Sequence, residues 1–206
     1  MSRIIDAKCR LCRREGEKLF LKGERCYSPK CPIDRNRAVP PGQHGPRGGR
    51  RLSDYGLQLR EKQKAKRTYG ITERVSAKYY KQASIYRGET GKRLLQLLET
   101  RLDNVLFRSG LIGSRSLARQ TINHGFCMVD GKRVNVPSYA VKPNQIITLN
   151  TKGLALAAVK KSLEVKNQPP AWMRRIAAVV KIIRLPVRQE MESTLDEQLI
   201  TEFYSR

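Results

Sequence analysis

Apolar positions along the chain recur with two periods. Leu94, Leu98, Leu102 and Leu106 stand four apart, which predicts a helix over about Lys92–Ser109 with a leucine stripe turned to a core. Gly110 follows where helices commonly end. Val75, Tyr79 and Ala83 repeat that spacing behind Thr72, and Ser53 and Asp54 open a helix that runs to Gly70. Ser114 opens another, to Gly125, with Leu117, Ala118 and Ile122 inward. The period then shortens. "FCMVDGKRV" alternates around Asp130-Gly131, a pair suited to the positive φ angles of a two-residue hairpin turn, and Cys127 falls among its apolar positions. "YAVKPNQIITL" predicts a further strand, and Leu154–Val165 a helix, while "AWMRRIAAVVKIIRLP" fits helix and strand alike. Thr194 and Glu197 form a capping box for a helix through about Tyr204. The sum is an α+β chain: a mostly helical first domain and a small module of helices followed by a sheet.

Charge changes this picture more than composition does. Lys and Arg total 42 against 18 Asp and Glu, a formal net charge of +24. Such an excess repels itself unless a polyanion neutralises it. Nucleic acid is the natural candidate, because every neutralised phosphate releases counterions. A membrane role is not indicated: no apolar run approaches the ~20 residues of a spanning helix, and "MSRIIDAKCR" lacks the apolar stretch of a signal peptide. The expected setting is the cytosol or an equivalent organelle compartment.

The cations are concentrated. Arg47, Arg50 and Arg51 lie in "PIDRNRAVPPGQHGPRGGRR", an extended Pro/Gly/Arg segment that phosphate would order. Arg60, Lys62, Lys64, Lys66 and Arg67 follow with Glu61 as the one acid between them, which favours phosphate contact over plain solvation. Arg115 and Arg119, four apart, share a helix face. Glu190, Glu192, Asp196, Glu197 and Glu202 form an acidic island, either a solvated surface or a face for a basic protein. Two histidines, His44 and His124, no glycine-rich phosphate cradle and no clustered carboxylates in the basic half give an enzyme little to work with.

Four of the five cysteines fall within a short stretch, as Cys9-x2-Cys12 and Cys26-x4-Cys31. Two close pairs joined by a short connection suit a closed, structural four-thiolate zinc site. An iron–sulfur cluster uses the same ligands, and two disulfides or four unrelated thiols are the plain alternatives. Arg10, Arg13, Arg14, Arg25 and Lys30 would offset the negative charge of a metal–thiolate centre.

The motifs have an order: the cysteine knuckle, "PPGQHG", "SDYGLQLREKQKAKRTYGITER", "RLDNVLFRSGLIGSRSLARQTINHG", "VDGKRVNVPSYAV" and "EQLITEFYSR". In that order, over nearly the whole chain, the sequence resembles the bacterial-type ribosomal protein S4 family in its zinc-binding form. The resemblance implies a zinc knuckle and basic segment over 1–52, a helical domain over 53–100 completed by 165–206, and an inserted S4-type RNA-binding module over 101–164. It implies a structural protein of the small ribosomal subunit that binds the 5′ domain of 16S rRNA early in assembly. It also implies a place beside ribosomal protein S5, near the side where messenger RNA enters, a contribution to translational accuracy, and no small-molecule substrate. By matching positions, Arg115, Arg119 and His124 fall in the module's helical motif and Lys132 and Arg133 on its hairpin. Residues 165–192 diverge from the family, and Asp130 stands where Asn is common. A zinc-knuckle translational regulator acting on messenger RNA, and an RNA-modifying enzyme that borrowed the module, are the competing readings.

Overall fold

The computed structural model describes residues 6–36, 39–45, 51–164, 168–192 and 194–206. Its elements, in chain order, are α1 (Lys8–Glu15), α2 (Glu24–Tyr27), α3 (Pro32–Asn36), α4 (Asp54–Tyr69), α5 (Glu73–Ser84), α6 (Thr90–Glu99), α7 (Leu102–Arg108), α8 (Arg115–Asn123), β1 (Cys127–Val129), β2 (Lys132–Val134), β3 (Ile146–Leu149), α9 (Thr151–Leu154), α10 (Ala157–Glu164), β4 (Met173–Ile176), β5 (Val179–Ile182) and α11 (Glu197–Ser205). They form two compact units: residues up to Gly91 together with Thr194–Arg206, and Lys92–Ser193.

The first unit is built on α4. Ser53 caps it by accepting from the Gly56 N–H at 3.2 Å, and Gly70, with φ 62°, turns the chain out of it. The helix α11 lies along α4. Gln58 donates to Glu202 at 2.9 Å, the Asp196 N–H to the Glu61 carboxylate at 2.9 Å, and Lys64 to the Thr194 carbonyl. Tyr80 of α5 stacks on Tyr204 of α11 with centroids 4.9 Å apart. The cap of α11 is Asp196, whose carboxylate accepts from the N–H groups of Gln198 and Leu199, rather than the expected Thr194/Glu197 box. An ionised oxygen one residue before the helix is the stronger acceptor.

The second unit opens with a departure from the sequence pattern. The leucine stripe is buried as expected, yet the helix is two helices, broken at Thr100–Arg101. Here the N–H of Leu102 goes to the Tyr139 carbonyl and that of Asp103 to Pro137, while the Val141 N–H comes back to Thr100. Pairing with residues 137–141 replaces one helical turn without leaving the backbone unsatisfied. Asn104 fixes the corner by donating to the Glu99 backbone carbonyl and side chain, at 3.0 and 2.6 Å. Beyond α8 lies an antiparallel five-stranded sheet of order β2-β1-β3-β5-β4. Asp130 and Gly131 both have positive φ, 50° and 78°, as the turn requires. The Asp130 carboxylate also accepts from the Ile146 N–H at 2.8 Å, which ties the turn to β3. One apolar cluster, from Leu102 to Ile182 and including Trp172, fills the space between sheet and helices.

Two further expectations change. The segment with helix and strand periods alike is the β4–β5 hairpin, and residues 168–192 belong with the second unit, whereas the sequence reading assigned 165–206 whole to the helical domain. The α+β class stands, but its zinc knuckle does not appear as a formed metal centre: among the described residues no group of three or more His, Cys, Asp and Glu is arranged to hold a metal ion.

Candidate nucleic-acid interface

All five cysteines are free thiols. Cys9 and Cys12 sit on α1, Cys26 on α2 and Cys31 just before α3, and all four line one small pocket with Leu21, Pro32 and Ile33. Their spacing is set by three short helices, which brings the thiols to one place without closing them into a ligand cluster. The chemistry of the donor set fits a soft divalent metal. The Lys22 N–H points at the Cys26 sulfur at 3.3 Å. Burial pushes the Cys12 thiol up, the Leu19 backbone N–H pulls it back, and the Cys26, Cys9 and Cys31 sulfurs push it up again. Cys127 lies apart, buried on β1, where desolvation raises its thiol to about 12.

The dense cations of α4 each have an acid in reach. Arg60 and Arg67 both reach Glu15, whose side chain is 2% exposed, Arg60 at 3.4 Å. Lys62 and Lys66 share Glu73, each at 3.0 Å, and Lys62 also lies 4.1 Å over the Phe203 ring. Lys64 meets Glu17 at 2.9 Å. Burial acts to raise the Glu73 carboxyl, but hydrogen bonds from Lys62, Lys66 and Tyr204 outweigh it and hold the group below its ordinary value. These cations join helices to one another. Apart from Glu61, 3.6 Å from Lys64, their acids lie outside α4, at residues 15–17 and 73, so the segment by itself reads as strongly basic.

Arg115 and Arg119 are likewise turned inward. Arg115, 8% exposed, donates to Asn104 at 2.8 Å and to Glu192 at 3.1 Å, and its guanidinium stacks 4.5 Å over Phe107. Arg119 donates to Asp103 at 2.7 Å, and Arg101 grips the same carboxylate. Their shared helix face therefore packs on α7 rather than standing open to phosphate. By contrast His124, Lys132 and Arg133 are exposed. His124 caps α8 and stacks on Phe126, and Arg133 donates to the His124 carbonyl at 3.4 Å, lying across Gly125. Gly125 has φ 70°, a left-handed conformation that favours glycine, and the Arg133 guanidinium lies over the space a Cβ would take. Arg51 is exposed, and Arg47 and Arg50 lie outside the described residues.

Other exposed cations went unnamed in the sequence reading: Arg74, Lys78 and Lys81 on α5, and Arg174 and Lys181 on β4 and β5. The acidic island has internal employment. Glu190 pairs with Arg184 at 2.5 Å and Glu192 with Arg115, while Asp196 caps α11 and Glu202 accepts from Gln58.

Residues 3–99 match the Ribosomal protein S4/S9 N-terminal domain, and residues 100–147 match the S4 domain. The small ribosomal subunit protein uS4 of Dictyoglomus turgidum is 53% identical over 208 residues, covering 100% of both chains. The proteins of the same name from Thermodesulfovibrio yellowstonii and Azoarcus sp. are each 50% identical over 210 residues, again covering 100% of both chains.

Proposed function

The chain belongs to the ribosomal protein S4 family, and from that premise we propose that it is a primary 16S rRNA-binding protein that helps organise the 5′ domain of the small subunit. It is a structural, non-enzymatic constituent of the small ribosomal subunit that binds rRNA. The observation that carries this reading is identity near one half with uS4 proteins over the full length of both chains. The charge of +24 supplies the electrostatic part, since a phosphate backbone neutralises what the fold leaves exposed. Exposed Lys132, Arg133 and His124, with Arg51, are the side chains proposed to face RNA. Arg115 and Arg119 set the shape of the module that presents them. Contacts of this kind follow RNA shape, so a folded junction rather than a base sequence is the target. Ribosomal protein S5 and messenger RNA are the proposed neighbours, in whichever compartment the ribosome works.

Zinc held by Cys9, Cys12, Cys26 and Cys31 is part of the proposal. It rests on the shared pocket and on the N–H groups of Leu19 and Lys22 directed at sulfur. A metal there would fix α1, α2 and α3 to one another and supply no chemistry to a substrate. Metal analysis of the purified protein should find one zinc per chain, and coloured, iron-containing protein would replace zinc with an iron–sulfur cluster.

Co-sedimentation tests the ribosomal reading. The protein should travel with small subunits and persist through a high-salt wash once assembled. Protein that stays at the top of the gradient with intact subunits present would overturn it.

A further inference from the structure

We infer that the outer face of α5, through Arg74, Lys78 and Lys81, is an RNA-phosphate contact surface of the first unit. This rests on the rRNA-binding reading above and adds a site to it. Arg74, Lys78 and Lys81 fall at i, i+4 and i+7, so they form one stripe within a narrow arc of the helix. Ser76 and Ala83, buried at 7% and 0%, lie on the opposite side and hold the helix to its unit. The stripe is therefore fixed facing solvent, and all three side chains are exposed.

Two comparisons separate this stripe from an ordinary solvated surface. The first is with α4. Its cations each have an acid in reach: Glu15, Glu17 or Glu73. None of the ion pairs among the described residues involves Arg74, Lys78 or Lys81. The acids nearest in sequence are Glu73, the first residue of α5, held by Lys62, Lys66 and Tyr204, and Glu89, beyond the helix end. A protein that assigns an acid to its α4 cations leaves these uncompensated. The second comparison is with what the helix itself prefers. Lys81 lies in the last turn, where a cation suits the helix dipole. Arg74 lies in the first turn, where a cation opposes it. Folding does not favour Arg74; a polyanion does. Past Ser84 the same stripe continues to Ile85, 82% exposed, with Tyr86, 57% exposed, beside it, an apolar tip suited to a ribose or base face at the end of a phosphate track.

The experiment uses the full chain and a small-subunit rRNA transcript, with salt titrations of binding. The triple substitution Arg74→Ala, Lys78→Ala, Lys81→Ala should raise Kd by about tenfold or more near 0.1 M salt. It should also lower the slope of log K against log salt by roughly 2 to 3, one phosphate contact per side chain. Far-UV circular dichroism should be unchanged. The charge-keeping set Arg74→Lys, Lys78→Arg, Lys81→Arg should bind as the parent does. If the parent binds and the alanine set matches it in affinity and slope, the stripe is not on RNA, and the rRNA reading survives without it. If the parent prefers the rRNA transcript no more than a scrambled RNA, the rRNA reading fails and this inference falls with it.

Discussion

The two units are held together by different forces. The second is an apolar solid: Trp172, Leu106, Ile122, Ile147 and Val180 are fully or almost fully buried in one cluster between sheet and helices. The first has a thinner apolar interior, with Leu11, Leu19, Tyr69, Ile71 and Ile200 among its buried side chains. What joins its helices is charge: Glu15 with Arg60 and Arg67, and Glu73 with Lys62, Lys66 and Tyr204. Buried apolar area is indifferent to pH and ionic strength, whereas an ion-pair lattice responds to both. The second unit has ion pairs too, Arg101 and Arg119 on Asp103 and Arg115 on Glu192, but they border a large apolar cluster, whereas the first unit leans on its ion pairs and on its cysteines for much more of its cohesion.

The comparison breaks most sharply at Trp172. It is the chain's one tryptophan, so its emission reports the second unit alone. Trp172→Ala should cost that unit about 3 to 5 kcal/mol through lost burial and the cavity left behind. Two-transition calorimetry should show the first unit melting as before. A single merged, shifted transition would show that the units do not unfold independently.

A smaller effect is expected at Arg67. Arg67→Met leaves the buried Glu15 carboxylate with Arg60 alone. The cost should be about 1 to 3 kcal/mol, the range for a buried polar group that loses a partner. Urea unfolding followed by circular dichroism should register it, while Trp172 emission keeps its midpoint.

Acid sharpens the contrast further. The Glu73 carboxyl is depressed in the fold, so the unfolded chain takes up its proton first as pH falls. Its stabilising contribution is complete above the ordinary glutamate value of 4.5 and is lost as pH drops through the lower folded value. Melting of the first unit between pH 6 and pH 3 should fall less steeply in Glu73→Gln than in the parent. The smallest effect belongs to Lys18, whose partner Asp34 is 44% exposed. Lys18→Ala should leave both transitions where they were, because an exposed pair is screened by water and salt.

How much of this the sequence disclosed follows the same divide. Local signals were legible. Ser53, Ser114 and Gly70 bound helices where expected, and Asp130-Gly131 makes its turn. The leucine stripe named its buried residues but not the break inside it, because the break is made by residues 137–141. The β4–β5 hairpin was ambiguous for a related reason: strand and helix periods coincide over a short apolar run, and pairing of β5 with β3 decides. Charge was legible in total, but the intramolecular partners of individual cations were not. Arg115, Arg60 and Arg67 meet Glu192 and Glu15, partners that no local window contains, and Lys62 and Lys66 meet Glu73, which lies nearby in sequence but beyond the turn at Gly70. The α5 stripe carries a readable signal, three cations at i, i+4 and i+7 opposite small residues, beside the denser run of α4.

The first unit is discontinuous: residues up to Gly91 are completed by Thr194–Arg206. During synthesis this delays the closing of the first unit. Everything the second unit requires has been translated before α11 exists, and a ribosome adding about 5 to 20 residues per second needs several seconds to cross the intervening stretch. Throughout that interval Gln58, Lys62 and Lys64 of α4 lack Glu202, Phe203 and the Thr194 carbonyl. The N-terminal part of a strongly basic nascent chain therefore waits, partly unclosed, for its clasp. The arrival of α11 marks the moment at which the first unit can settle.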